Sequence, residues 1–252
     1  MREQIASSLA DLIAVGLLQA GDELPSERDL ASTLGVSRDS VRGALQLLSE
    51  RGILDIGHGT RTRIRPSPTT IDESRRFDLR QLPDLSDAAV IEARRLLEPH
   101  LARRAAELID KRTMDRLERL VDAQTGMTDD PVRFQISDRE FHLAIYEVAG
   151  NPVLAAFAAQ AYAHAYVHRR DLMRNHDGIR LAVADHQRIL EALDMGEPEA
   201  AAQAMLGHID MIWSLLVGVD QHERKVDMNA GFSGPDMTLS TQPDRHKKRE
   251  AS

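Results

Sequence analysis

SERDLASTLGVSRDSVRGALQLL, residues 26–48, is the stretch whose reading decides the fold. Ser26 stands in cap position, with Asp29 three residues on as in a capping box. Leu30, Ala31 and Leu34 then form an apolar stripe at helical spacing. Gly35 supplies a left-handed stop and Val36 tucks into the turn. Ser37 caps a second helix, in which Val41, Ala44, Leu45 and Leu48 recur on one face. Arg38, Asp39, Ser40 and Arg42 are left at its exposed N-terminal end. This is the layout of a helix-turn-helix, whose second helix sets its first side chains against base edges in the major groove. An ordinary helical hairpin has the same local pattern, so the flanks must decide.

Upstream, Ile5, Leu9, Leu12 and Ile13 predict an amphipathic first helix. Downstream, RGILDIGHGTRTRIR offers two short strand-like runs around Gly57-His58-Gly59, the pattern of a β-wing. The matching residues are Gly21-Asp22-x-Leu24-Pro25-Ser26-Glu27-Arg28-x-Leu30-Ala31, Gly35-Val36-Ser37-Arg38, Val41-Arg42-x-Ala44-Leu45 and Gly57-x-Gly59-Thr60. On these the chain resembles the GntR family of winged-helix transcription regulators. The resemblance implies DNA contacts from Arg28, Ser37, Arg38, Asp39, Ser40 and Arg42, with His58 and Gly59 reaching from the wing. Two departures stand out. Asp39 replaces a usually neutral residue, and Arg61-Thr62 replace an aromatic-valine pair.

A chain of 252 residues has room for two domains. It has no cysteine, which excludes disulfides and thiolate zinc sites. No apolar run approaches a membrane span and no signal-peptide core opens the chain, so a cytoplasmic protein is expected. The net charge of −8 is unexpected for a DNA binder until it is localised. Residues 1–35 hold two arginines against six acidic residues, whereas residues 36–65 hold six arginines against three. Positive charge therefore gathers on the second helix and wing, where phosphates would lie.

The fold expected is mainly α: a winged helix-turn-helix of three helices and a small β-wing over 1–65, then an all-α antiparallel bundle over 86–220. Residues 66–85, rich in proline, serine, threonine and charge, read as a linker. Helical periods predict one helix over 86–109, in which Pro99 could introduce a kink or local break, then helices over 113–126, 132–148, 153–174, 181–195 and 198–219. Gly150 and Gly196 mark stops. Periodicity fades from Gln221, so 221–252 is expected to be a disordered tail. Its basic cluster, His246 to Arg249, suits either solvent or an acidic surface such as DNA.

Asp138 and His142 are four apart and share one helix face, while His186 and His208 lie on two later helices. Three imidazoles and a carboxylate suit Zn²⁺, Ni²⁺, Mn²⁺ or Fe²⁺. Among ten histidines the same four also fit as ordinary surface or core residues. The segments DREFHLAIYEVAGNPVL, DHQRILEALDMGEPEAAAQAM and GHI are similar to the all-helical effector domain, FCD, of the FadR subfamily. That resemblance implies metal ligation by Asp138, His142, His186 and His208. It also implies, from Glu92-x-Arg94-x-x-Leu97-Glu98, that Arg94 clamps the effector's carboxylate. The alternative for Arg94 is a surface side chain over the bundle. His164 and His168, also four apart, either line the same cavity or pack.

The function expected is a homodimeric regulator that binds a two-fold symmetric double-stranded operator. Its affinity would be set by a small carboxylic-acid effector at a divalent metal, with coupling through the linker and first bundle helix. A metal-dependent hydrolase fused to a DNA-binding head is the alternative; it needs a general base beside the metal, and Glu140 and Glu147, near in number, are offset from the face of Asp138. A purely structural ion is a third reading.

Overall fold

The structure is a computed structural model that describes residues 1–14, 18–57, 61–66, 82, 85–173 and 176–230; within these, the side chains of 165–173, 176 and 216–230 are not described. The expected wing residues His58 and Gly59, most of the linker, the His168 side chain and the tail from 231 therefore lie outside the described residues.

The reading head comprises α1 (Arg2–Ala14), α2 (Glu27–Leu34), α3 (Arg38–Glu50), β1 (Leu54–Asp55) and β2 (Arg63–Ile64). Its boundaries form for the reasons visible in sequence. Ser26 Oγ accepts from Asp29 N at 3.2 Å and donates to Asp29 Oδ2 at 2.6 Å, closing the start of α2. Gly35 ends α2 at φ 64°, a left-handed conformation that suits glycine. Ser37 Oγ accepts from Ser40 N and opens α3. Val41, Ala44, Leu45 and Leu48 are buried against α1. Burying each large side chain contributes about 1.5–3 kcal/mol, which holds the recognition helix at one angle. The wing strands pair antiparallel, Leu54 opposite Ile64 and Asp55 opposite Arg63, and Glu23 bridges to Arg63 beside them.

Six helices follow: α4 (Asp87–Leu108), α5 (Lys111–Gln124), α6 (Pro131–Val148), α7 (Pro152–Met173), α8 (His176–Asp194) and α9 (Pro198–Ala230). Side-chain caps start four of them: Ser86 at α4, Asp110 at α5, Asp130 at α6 with Pro131 in the first turn, and Asn151 at α7. Helix α4 runs through Pro99 as one element, as expected. Two boundaries differ from expectation: α8 begins at His176, ahead of 181, and α9 continues to Ala230 where periodicity had faded. Helix α4 packs on α9, α7 and α6, and α8 packs on α9.

Head and bundle are joined by more than the linker. Helix α6 lies against α2. Arg139 Nη1 donates to Ser8 Oγ on α1 at 2.5 Å, and Arg133 Nε reaches Thr33 Oγ1 on α2 at 3.5 Å. One buried apolar cluster includes residues of both parts.

Candidate metal centre and DNA-reading face

Asp138 and His142 project from one face of α6 into the bundle, where α8 brings His186 and α9 brings His208. All four are fully buried. One donor atom from each can be chosen so that all lie within 4.8 Å of one another. An ion about 2.0–2.2 Å from each donor leaves any two donors no more than about 4.4 Å apart, so closure asks for a contraction of a few tenths of an ångström. Asp138 Oδ1 is 3.1 Å from His186 Nε2 and 3.9 Å from His142 Nε2. Neither of those two nitrogens has a hydrogen-bond partner, although both are buried. Buried polar atoms without partners are costly, and nitrogens converging on a carboxylate suit a divalent cation. The donor set fits one.

The other edge of each ring is engaged. His186 Nδ1 lies 2.7 Å from Gln124 Oε1, and Gln124 Nε2 donates to Ser137 Oγ at 3.1 Å. His142 Nδ1 faces Glu98 Oε2 at 3.4 Å and the Tyr146 hydroxyl at 3.3 Å. His208 Nδ1 faces Asp185 Oδ2 at 3.4 Å, and Asp185 also takes Arg188. The Tyr162 hydroxyl donates to Asp138 Oδ2. Phe141 stacks on His186 with ring centroids 4.3 Å apart. Burial pushes the His142 imidazolium pKa below its usual value against the pull of Glu98 and Asp138, so the ring is held neutral as a ligand must be.

Arg94 is not a surface side chain; it is completely buried on α4. Its Nε and Nη2 donate to the two oxygens of Glu98, and its guanidinium carbon sits 5.2 Å from the centre of the Tyr162 ring. Burial opposes ionisation of both partners, but their mutual attraction wins: Arg94 stays protonated and Glu98 is held down to about 2. Burial, then Glu98, keeps the Tyr146 phenol neutral. Only Nη1 of Arg94 has no hydrogen-bond partner. His164 is half-buried on α7. Glu140 is tied to Arg116 and Arg139, and Glu147 is exposed beside Arg116, so neither serves as the base a hydrolase would need.

Sequence reasoning had no signal for Gln124, Tyr162 or Asp185, which reach the cluster from α5, α7 and the turn of α8 before His186. Tyr146 is buried, and its hydroxyl lies 3.3 Å from His142 Nδ1. Glu98 was visible only as the residue four after Arg94.

On the reading face, Arg38 is exposed and makes no hydrogen bond or ion pair among the described residues. Arg42 is engaged: its Nε and Nη2 donate to Glu27 Oε2 at 3.1 and 3.0 Å, and its Nη1 lies 3.5 Å from Asp39. Arg28 is 80% exposed and 3.7 Å from Asp29. Ser37 and Ser40 share a hydroxyl contact of 2.8 Å at the start of α3.

A winged helix-turn-helix joined to a helical bundle with a buried polar centre defines a DNA-binding regulator of the ligand-sensing class. The comparisons agree. Residues 1–64 match the model of the gntR family of bacterial regulatory proteins, and residues 89–211 match the FCD domain. The chain is 30% identical over 220 residues to the HTH-type transcriptional repressor NanR of Salmonella schwarzengrund, covering 84% of this chain and 82% of that one. It is 28% identical over 216 residues to the Uxu operon regulator of Haemophilus influenzae, covering 83% and 79%. The solved structure of E. coli McbR/YncC shares the fold, with a TM-score of 0.52 at 21% identity over 86% of this chain and 97% of that one. The chain belongs to the GntR family, with an FCD effector-binding domain. It is a transcription regulator and not an enzyme, as its relatives are regulators. Among the described residues no helix is long and apolar enough to cross a membrane.

Proposed function

We propose that this protein is a cytoplasmic homodimer whose affinity for a two-fold symmetric operator is set by a small organic acid bound at a divalent metal. Asp138, His142, His186 and His208 would hold the ion, of the Zn²⁺, Ni²⁺, Mn²⁺ or Fe²⁺ type. The observation that carries this is the convergence of four fully buried donors from three helices within 4.8 Å, with the His142 and His186 Nε2 atoms lacking partners. One carboxylate against a dication leaves the centre positive, which favours an anionic ligand. Arg94 would assist through Nη1 alone. Glu98 already takes Nε and Nη2, so the clamp is a single contact rather than the fork its residue type suggests. His164 and His168 are retained as lining residues of the effector pocket.

Coupling to DNA would pass through α6. That helix carries two of the four donors inward, and Arg133 and Arg139 outward onto α2 and α1. On the DNA side, Arg38 would read a base edge from its free position. Arg42 would exchange Glu27 for a phosphate or base, Ser37 and Ser40 would contact the backbone beside it, and Arg28, His58 and Gly59 would flank the site.

Elemental analysis of protein reloaded with Zn²⁺, Ni²⁺ or Mn²⁺, followed by a thermal-shift screen of small carboxylic acids with and without chelator, tests this reading. One ion per protomer and an acid whose stabilisation vanishes with chelator are expected. No stoichiometric ion after reloading would remove the metal from the account.

A further inference from the structure

The three imidazoles of the cluster do not have equivalent outer partners. His186 Nδ1 meets a neutral amide oxygen, whereas His142 and His208 meet carboxylates. The two carboxylates also differ. Asp185 shares itself with Arg188, whose side chain is 64% exposed. Glu98 is fully buried, and so is its arginine. Among the described residues, Glu98 is therefore the one carboxylate that contacts both the candidate metal ligand His142 and the candidate effector clamp Arg94, with no solvent to screen either contact.

We propose that Glu98 is the positioning residue of the metal centre: it accepts the Nδ1 proton of His142, turns Nε2 toward the ion, and so ties the strength of that ligand to the Arg94 clamp. The inference rests on the metal reading of the cluster. A carboxylate on the far nitrogen fixes tautomer and ring angle and makes the imidazole a better donor to a cation, a recurrent device at histidine metal sites. The Tyr146 hydroxyl, 3.3 Å from the same nitrogen, cannot replace it because it carries no charge. Arg94 holds Glu98 in place through two hydrogen bonds while competing for its charge. A ligand that draws Arg94 toward Nη1 loosens that competition and strengthens the Glu98–His142 contact. Metal and acid then support one another's binding, and linkage requires the support to be reciprocal.

The test uses the whole 252-residue chain and metal alone. Zn²⁺ affinity is measured against a competing chelator for wild type, Glu98→Gln, His142→Ala and the double variant, with apo thermal midpoints as a folding control. Loss of such an outer partner costs about 10–100-fold in metal affinity, and that loss is expected for Glu98→Gln in the wild-type background. In the His142→Ala background the same substitution should change affinity little, because Glu98 acts through that ring. An unchanged affinity in Glu98→Gln, or an equal loss in both backgrounds, overturns the assignment while leaving the metal site intact. Wild type that binds no ion removes the site itself. Long-range ¹H–¹⁵N correlation on wild-type apo protein needs no variant: His142 should be protonated at Nδ1, and the Nε2–H tautomer would refute the proposal.

Discussion

The same ion pair, arginine with glutamate, occurs at both ends of this molecule in opposite settings. Arg42 and Glu27 sit on the reading face with the arginine 60% exposed, whereas Arg94 and Glu98 are 0% exposed in the bundle. In water the attraction is weak and the partners exchange readily; in the interior each charge depends on the other. The head thus holds Arg42 on a partner it can leave, as the proposed DNA contact requires. The bundle holds its charges in one arrangement, each enclosed partner fixing the other. A regulator needs both: an exchangeable face toward phosphates and a rigid centre toward its signal.

The largest difference should appear on removing the glutamates. Glu98→Ala strands a buried guanidinium and should destabilise by about 3–5 kcal/mol, read by denaturant unfolding. Glu27→Ala should leave the unfolding midpoint unshifted and raise non-specific DNA affinity by freeing Arg42. Equal losses in the two variants would break the comparison.

His208→Ala separates the centre from the head. It removes a ligand from the last helix of the bundle and leaves Asp138, His142 and His186 as a weaker three-donor site. The variant should fold as a dimer and bind operator, yet retain little metal and ignore the effector. Retention of one tightly held ion per protomer would exclude His208 from the ligand set.

On the DNA side the two arginines should part company. Arg38→Ala should cost about 1–3 kcal/mol on the specific site and relax preference at one base. The double variant Arg38→Ala/Arg42→Ala should lose sequence-specific footprinting altogether. If Arg42→Ala alone weakens all sequences alike and lowers the salt slope by about one unit, Arg42 is a phosphate contact.

Acid should act on the bundle before the head. Burial sets the folded-state pKa of His142 below its unfolded value of about 6.5. The folded state then binds fewer protons, so this contribution is present above about pH 6.5 and is lost as pH falls from there toward the folded value. One such group gives at most about 1.4 kcal/mol per pH unit. Glu98, held down to about 2, stays ionised throughout this range. The apo thermal midpoint should fall between pH 7.5 and 5.5, roughly flanking that histidine value, and bound metal should be released in the same direction. A midpoint that rises on acidification would mean His142 is charged when folded.

The smallest effect is expected at Asp39. It is 83% exposed and 3.5 Å from Arg42, so it repels phosphate and restrains a cation at once. Asp39→Asn should raise affinity for random DNA and narrow its gap from operator. Unchanged binding to both would place the carboxylate outside the interface.

Amino-acid order alone was enough for the reading head, because its determinants are local. Ser26, Gly35 and Ser37 each act within three residues of themselves, and the buried stripe of α3 repeats within one helix. The four-apart spacing of Asp138 and His142 is local for the same reason. The single helix through Pro99 was legible too, because its apolar residues recur on both sides of the proline, and packing on α9, α7 and α6 supports it across that position. The end of α9 was misplaced because fading periodicity reports a buried face, not the backbone hydrogen bonds that continue to Ala230. What Arg94, Glu98, Gln124, Tyr162 and Asp185 do was decided only when α4, α5, α7 and α8 packed together. Gln124 lies 62 positions from His186, and Tyr162 lies 24 from Asp138. Such partners are chosen by burial, which makes each enclosed polar atom find another across the bundle, and no spacing along the chain records that choice.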